Sequence, residues 1–200
     1  YAERIFLKKA LPAGKYFSSL SAVRKLAENG GMIFSSDVTF FVGENGSGKS
    51  TLLEAIAVAA GFNAEGGTKN FMFSSRKTHS ELHEYLTIAR SRYPKDGFFL
   101  RAESLYNLAS NLEDLDRTVP GALNSYGGIS LHRQSHGESF LALVHNRFSG
   151  DGLYLLDEPE AALSPARQMA LMVEIDRLVH SNSQLIIATH SPILTAYPGA

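Results

Sequence analysis

"GENGSGKS", residues 43–50, follows the β-rich run DVTFFV (37–42) and opens an Ala/Leu-rich stretch, TLLEAIAVAA (51–60), that Gly61 closes. Strand, glycine loop and helix in that order give the Gly-x4-Gly-Lys-Ser pattern the context its chemistry needs. Gly43, Gly46 and Gly48 let backbone N–H groups close around phosphate oxygens, with Asn45, Ser47 and Thr51 completing the turn. Lys49 can reach the β- and γ-phosphates, and the Ser50 hydroxyl can ligate Mg²⁺. ATP and Mg²⁺ are the expected ligands. An ordinary glycine-rich turn is the competing reading, and the flanking strand and helix weigh against it.

The next strand signals extend this reading. "LYLLDEPE" (153–160) places Asp157 and Glu158 at the C-terminal end of an apolar strand, where ligands of open α/β sheets bind. Asp157 is expected in the Mg²⁺ shell, and Glu158 as the carboxylate that orients or deprotonates the attacking water. Glu160 reads as a solvated surface carboxylate. "IIATHSP" ends another strand with His190, a possible hydrogen-bond donor to the γ-phosphate. The strand of His190 should lie beside that of Asp157. The histidines at 79, 83, 132, 145 and 180 lack metal-ligand spacing.

Composition bounds the rest. The 200 residues, 44% hydrophobic, suffice for one domain with a substantial core. A net charge of -1 gives no global basic field, so nucleic acid is not indicated as a partner. With no cysteine, disulfides, thiolate metal sites and a cysteine nucleophile are excluded, and a cytoplasmic location is the simplest expectation. Apolar runs such as FLALV fall far short of the ~20 residues of a membrane helix, so no membrane insertion is expected. The chain begins at Tyr1 and stops at AYPGA, which leaves room for missing residues at both termini.

The expected fold is α/β: a mostly parallel core sheet, N-terminal antiparallel strands from RIFLKK and MIFSS, and a helical insertion. Residues 1–76 and 149–200 would form the nucleotide-binding core of a single domain. Residues 77–148 would form a helical subdomain from the patterns ELHEYLTIARSR, ESLYNLASNLEDL and ESFLALVHNRF. KYFSSLSAVRKLAENGG has no assigned form. Ser164-Pro165 marks the start of a helix running to about His180. In "LHRQSHGESF" (131–140), Ser135 and Glu138 fit a capping box, while a helix N-terminus is also an anion site. Local sequence leaves both readings open.

Phosphate loop, helical insertion, Ser-x-Gly-Glu turn, LYLLDEP and ATH follow the order found in ABC-type ATPases, which the chain resembles over almost its whole length. It looks most like small stand-alone bacterial ATPases of the AAA/ABC type, which carry GENGSGKST, FFLRAES, SHGES and LLDEPEAALSP. The resemblance implies a P-loop NTPase fold, ATP hydrolysis, and an ATP-dependent homodimer. In it, Ser135, Gly137 and Glu138 of the signature turn would contact the γ-phosphate held by the opposite subunit. Three positions depart from the pattern: His136 replaces the first signature glycine, Ser164 replaces an interface aspartate, and Glu103 stands at the usual glutamine. Glu103 remains an oxygen ligand suited to Mg²⁺ or the lytic water, with a plain helix-start role as the alternative. The adenine-stacking aromatic has no secure match; Tyr16 and Phe17 are candidates, with core packing the competing role. The functions in view are a stand-alone ATPase switch with a protein partner on the helical subdomain, a transporter's nucleotide-binding subunit, or an ATPase module in DNA repair or phage defence.

Overall fold

The computed structural model describes residues 1–68 and 80–200. In chain order the main elements are β1 (Ala2–Leu7), α1 (Ser21–Glu28), β2 (Met32–Ile33), β3 (Val38–Phe41), α2 (Lys49–Ala60), β4 (Leu86–Arg90), β5 (Asp96–Arg101), α3 (Leu105–Thr118), α4 (His136–Arg147), β6 (Gly152–Asp157), α5 (Pro165–His180) and β7 (Gln184–Ala188). A four-stranded parallel sheet runs β3-β7-β6-β5, and a three-stranded antiparallel sheet runs β2-β1-β4.

Strand β6 is apolar almost without interruption because both of its faces are covered, as parallel strands require. Side chains alternate across the sheet. Leu153, Leu155 and Ile186 pack towards α2 and the antiparallel sheet, whereas Tyr154, Leu156, Leu185 and Ile187 pack among α3, α4 and α5. Helix α2 is buried nearly all round, with Leu52, Leu53, Ala55, Ile56 and Ala57 inside, which explains an apolar sequence with little amphipathic contrast. It ends as expected at Gly61, whose φ of 95° is left-handed, and the N–H of Phe62 returns to the carbonyl of Ala57.

One expectation is corrected. ELHEYLTIARSR does not form a helix: Glu81–Tyr85 make a 3-10 turn and Leu86–Arg90 a strand paired with β1, Leu7 facing Leu86 and Ile5 facing Ile88. The apolar positions fit a helical period, but Leu86 and Ile88 also fit a period of two. Pairing satisfies the strand's backbone while both side chains reach the core of α1 and α2. The middle section is therefore helical only from the short turn Ala102–Ser104 and Leu105 onward, and β5 belongs to the parallel sheet. The expected boundary at 76/77 and His79 lie outside the described residues. The unassigned KYFSSLSAVRKLAENGG folds as a 3-10 turn, Tyr16–Ser19, and α1.

Because β3, β5, β6 and β7 are parallel, their C-terminal ends share one edge of the sheet. Every strand-end residue singled out from sequence is thereby delivered to that edge.

Candidate functional site

The loop after β3 ends at Gly48, whose φ of 94° is left-handed, and a Cβ built there would lie 2.8 Å from Leu20 Cβ. Conformation and space both demand glycine. Lys49, the first residue of α2, is only 5% exposed, and its Nζ donates to the carbonyls of Gly43 (2.7 Å) and Glu44 (3.0 Å). The ammonium is thus held over the loop. Helix α1 braces the turn: the N–H of Ala22 and the hydroxyl of Ser21 both donate to the carbonyl of Ser47. The first intrahelical bond of α2 runs from Leu52 N–H to Gly48, so the N–H groups of Lys49, Ser50 and Thr51 project from its N-terminal end. Asn45 and Gly46 form the exposed tip. A cleft of about 560 Å³ flanks the loop, lined in part by Ser21, Lys25, Val42, Gly43, Glu44 and Lys49.

Asp157 ends β6, 5% exposed, with the Ser50 hydroxyl near enough to favour its ionised form. Burial raises its carboxyl to about 6, against the lowering effects of Ser50 and of the Arg101 guanidinium. Its Oδ1 is buried with no hydrogen-bond partner among the described residues. A buried carboxylate oxygen left unpaired is costly, and a hard cation is a fitting partner. No cluster of three metal-ligating side chains occurs among the described residues. Mg²⁺ takes one or two protein oxygens and completes its shell with phosphate and water. Ser50 and Asp157 therefore fit the expected ion.

Arg101, which the sequence reading passed over, organises this corner. It ends β5 in register with Asp157 and reaches three carboxylates: Glu54 of α2 at 2.9 Å, Glu103 at 2.5 Å and Asp157 at 3.5 Å. Glu103 is 72% exposed and tethered through Arg101 beside Asp157. The signal was present: an arginine closing the apolar run FFL must find anionic partners at a sheet end.

Glu158 follows with φ 47° and ψ 52°, a left-handed conformation that a residue before proline strongly disfavours. Its N–H donates to the carbonyl of Ala188 in β7. Glu160 is corrected: its side chain is 8% exposed rather than solvated. Its Oε1 accepts the backbone N–H of His190 at 2.7 Å and lies 3.2 Å from His190 Nδ1. The His190 side chain is 51% exposed at the end of β7, and that strand pairs with β6 as expected.

In the Ser135 turn the capping box is present. Glu138 Oε2 accepts from the Ser135 N–H (2.9 Å) and hydroxyl (2.6 Å). Arg167 of α5, also passed over, donates to Glu138 at 2.9 Å and to Ser135 at 3.2 Å. These contacts hold the Glu138 carboxyl below its usual range, the Ser135 hydroxyl first among them. A Cβ at Gly137 would meet Arg167 at 2.8 Å and the Ala162 carbonyl at 2.9 Å, so this glycine serves close packing. His136 is exposed at the helix start, and Ser164 is the N-cap of α5. Phe17 is buried against Tyr85, while Tyr16 is largely exposed.

Two protein-family models match this chain. One described as "AAA domain" covers residues 19–97, and one described as "AAA domain, putative AbiEii toxin, Type IV TA system" covers residues 129–196. No curated protein matches. Similar solved structures include "An inward-facing conformation of a putative metal-chelate type ABC transporter" (15% identity, TM-score 0.49, 98% of this chain and 76% of that one). Others are an SMC head domain from Thermotoga maritima (17%, 0.47, 97% and 90%) and cbiO1 from Clostridium perfringens, part of the ABC transporter complex cbiONQ (17%, 0.48, 95% and 79%). The two AAA-domain matches thus lie on either side of α3, and the phosphate loop sits between strand β3 and helix α2 within the first of them. No helix among the described residues is long and apolar enough to cross a membrane.

Proposed function

We propose that this AAA/ABC-type P-loop domain binds Mg²⁺-ATP and hydrolyses it to ADP and phosphate. The observation that carries the reading is the convergence of Lys49, the Ser50–Asp157 pair with its unpartnered Oδ1, and Glu158 at one sheet edge. The loop N–H groups and Lys49 bind the phosphates, Lys49 exchanging loop carbonyls for phosphate oxygens. Ser50 and Asp157 would hold Mg²⁺, with Glu103 near the same shell. The ion supplies neutralisation of charge on the β- and γ-phosphates. Glu158 orients the attacking water and accepts its proton, directly after Asp157 on a left-handed backbone. His190 donates to the γ-phosphate.

The Ser135 turn supports the finer reading, a homodimer closed around ATP. The N-terminus of α4 carries Ser135, Gly137 and, through Glu138, the Arg167 guanidinium, an arrangement suited to a partner's γ-phosphate. Exposed Tyr106, Val119 and Ile129 offer the helical section a surface for a protein partner. A cytoplasmic ATPase switch is the role this describes.

Calorimetry and phosphate release test it. Lys49→Ala should lower ATP affinity about 100-fold or more, about 3 kcal/mol. Glu158→Gln should bind ATP within about twofold of wild type and hydrolyse it about 100-fold more slowly. Unchanged affinity in the first variant, or unchanged turnover in the second, would remove the proposal.

A further inference from the structure

We infer that Glu160 is a positioning residue for His190, fixing its backbone and holding the proton on Nδ1 so that Nε2 is the ring atom presented to the nucleotide. This rests on the ATPase reading for its function, not for its geometry.

Three observations carry it. First, the segment after β7 is pinned at each residue: Thr189 N–H bonds to Phe41, Ser191 N–H to the Thr189 hydroxyl, and the Ser191 hydroxyl to Gln168. The N–H of His190, between them, goes to the Glu160 carboxylate at 2.7 Å. Second, the same oxygen lies 3.2 Å from Nδ1 of the ring. A carboxylate has acceptors only, so a proton on Nδ1 is the form it favours. The nitrogen not engaged by the partner is then defined: Nε2. Third, Glu160 is nearly buried, and its Oε2 has no partner among the described residues. A surface carboxylate would turn to water; this one is kept buried to hold His190.

The consequence is chemical. With the Nδ1 edge of the ring against the Glu160 carboxylate, Nε2 is the ring nitrogen left for the nucleotide, and in the doubly protonated ring it donates to a phosphate oxygen. Glu160 also ties the turn after Glu158 to the turn after β7, so one carboxylate sets the spacing of the two residues nearest the proposed hydrolysis.

The test is long-range proton–nitrogen NMR on the full chain labelled with ¹⁵N-histidine, with His190 assigned through His190→Gln. The neutral ring of wild type should carry its hydrogen on Nδ1, and Glu160→Ala should move it to Nε2. Glu160→Gln, which keeps an acceptor for the backbone N–H, should stay folded and weaken the Nδ1 preference. Single-turnover hydrolysis should fall about tenfold in Glu160→Ala with ATP affinity within about twofold, because the backbone anchor that sets the place of His190 is lost. In the His190→Ala background, Glu160→Ala should add no further loss. An Nε2–H ring in wild type, or losses that multiply in the double variant, overturns the inference. If wild type hydrolyses no ATP, the ATPase reading fails separately, and the ring tautomer alone upholds or overturns the positioning of His190.

Discussion

Asp157→Asn should stabilise the protein at neutral pH while abolishing its response to Mg²⁺-ATP. Burial raises the Asp157 carboxyl to about 6 from 3.8, with Glu158 and Glu103 adding to the rise and Ser50 and Arg101 opposing it. Between those two values the folded chain binds a proton that the unfolded chain has released. Stability from this group therefore falls as pH rises from 3.8 to about 6, and the full cost persists above 6. At 1.36 kcal/mol for each tenfold change, that cost is about 3 kcal/mol. The asparagine keeps an oxygen for the Ser50 hydroxyl and removes the buried charge, so a gain of about 2–3 kcal/mol is expected at pH 7.5. For a chain of this size that is a melting-temperature rise of about 5–10 °C. At pH 4 the aspartate is already protonated in the folded state, and the gain should nearly vanish. Urea titrations of both proteins from pH 4 to 8 give the measurement. A second readout is stabilisation by ATP with Mg²⁺, which wild type should show and the variant should lack. Equal stability differences at pH 4 and 7.5, or a less stable asparagine variant at pH 7.5, would refute the reasoning.

Ser135→Arg should leave ATP affinity unchanged but block dimerisation and hydrolysis together, because it sets a second guanidinium beside Arg167 and fills the start of α4. Light scattering of the Glu158→Gln protein with ATP, with and without the added change, reports this, and a dimer that survives would reduce the turn to a helix cap. Far from that edge, Tyr154→Phe should cost about 1–3 kcal/mol in urea unfolding while sparing ATP binding. The Tyr154 hydroxyl donates to Asp96 at 2.7 Å and accepts from the Gly150 N–H at 3.0 Å, and both groups would lose a buried partner. A cost below about 0.5 kcal/mol would show that this network contributes little.

Much of the site was readable because its signals are local. A phosphate loop is one continuous stretch whose glycines and Lys49 act through their own backbone and side chain, and Asp157, Glu158 and His190 each sit at the end of an apolar run. Helix boundaries carried equally local chemistry: Ser164-Pro165 and Gly61 both fall where they were expected. ELHEYLTIARSR failed because its apolar spacing satisfies two periods, and only pairing with β1, about 80 residues earlier, chooses between them. Glu160 was misread for a related reason. A carboxylate in a turn is ordinarily solvated, and its burial depends on a partner 30 residues away in sequence.

By itself the sequence determined which residues stand as candidates for the chemistry and where most apolar stretches lie, since composition and periodicity are properties of a single segment. Tertiary structure alone decided which charges meet. Arg101 gathers Glu54, Glu103 and Asp157 because β5 and β6 pair in register and α2 lies across them. Arg167 reaches Ser135 and Glu138 because α5 packs on α4. Glu160 reaches His190 because β6 and β7 end together. Ionic and hydrogen-bonded contacts depend on distances of a few ångströms between segments far apart in the chain, and those distances exist only after the sheet has closed.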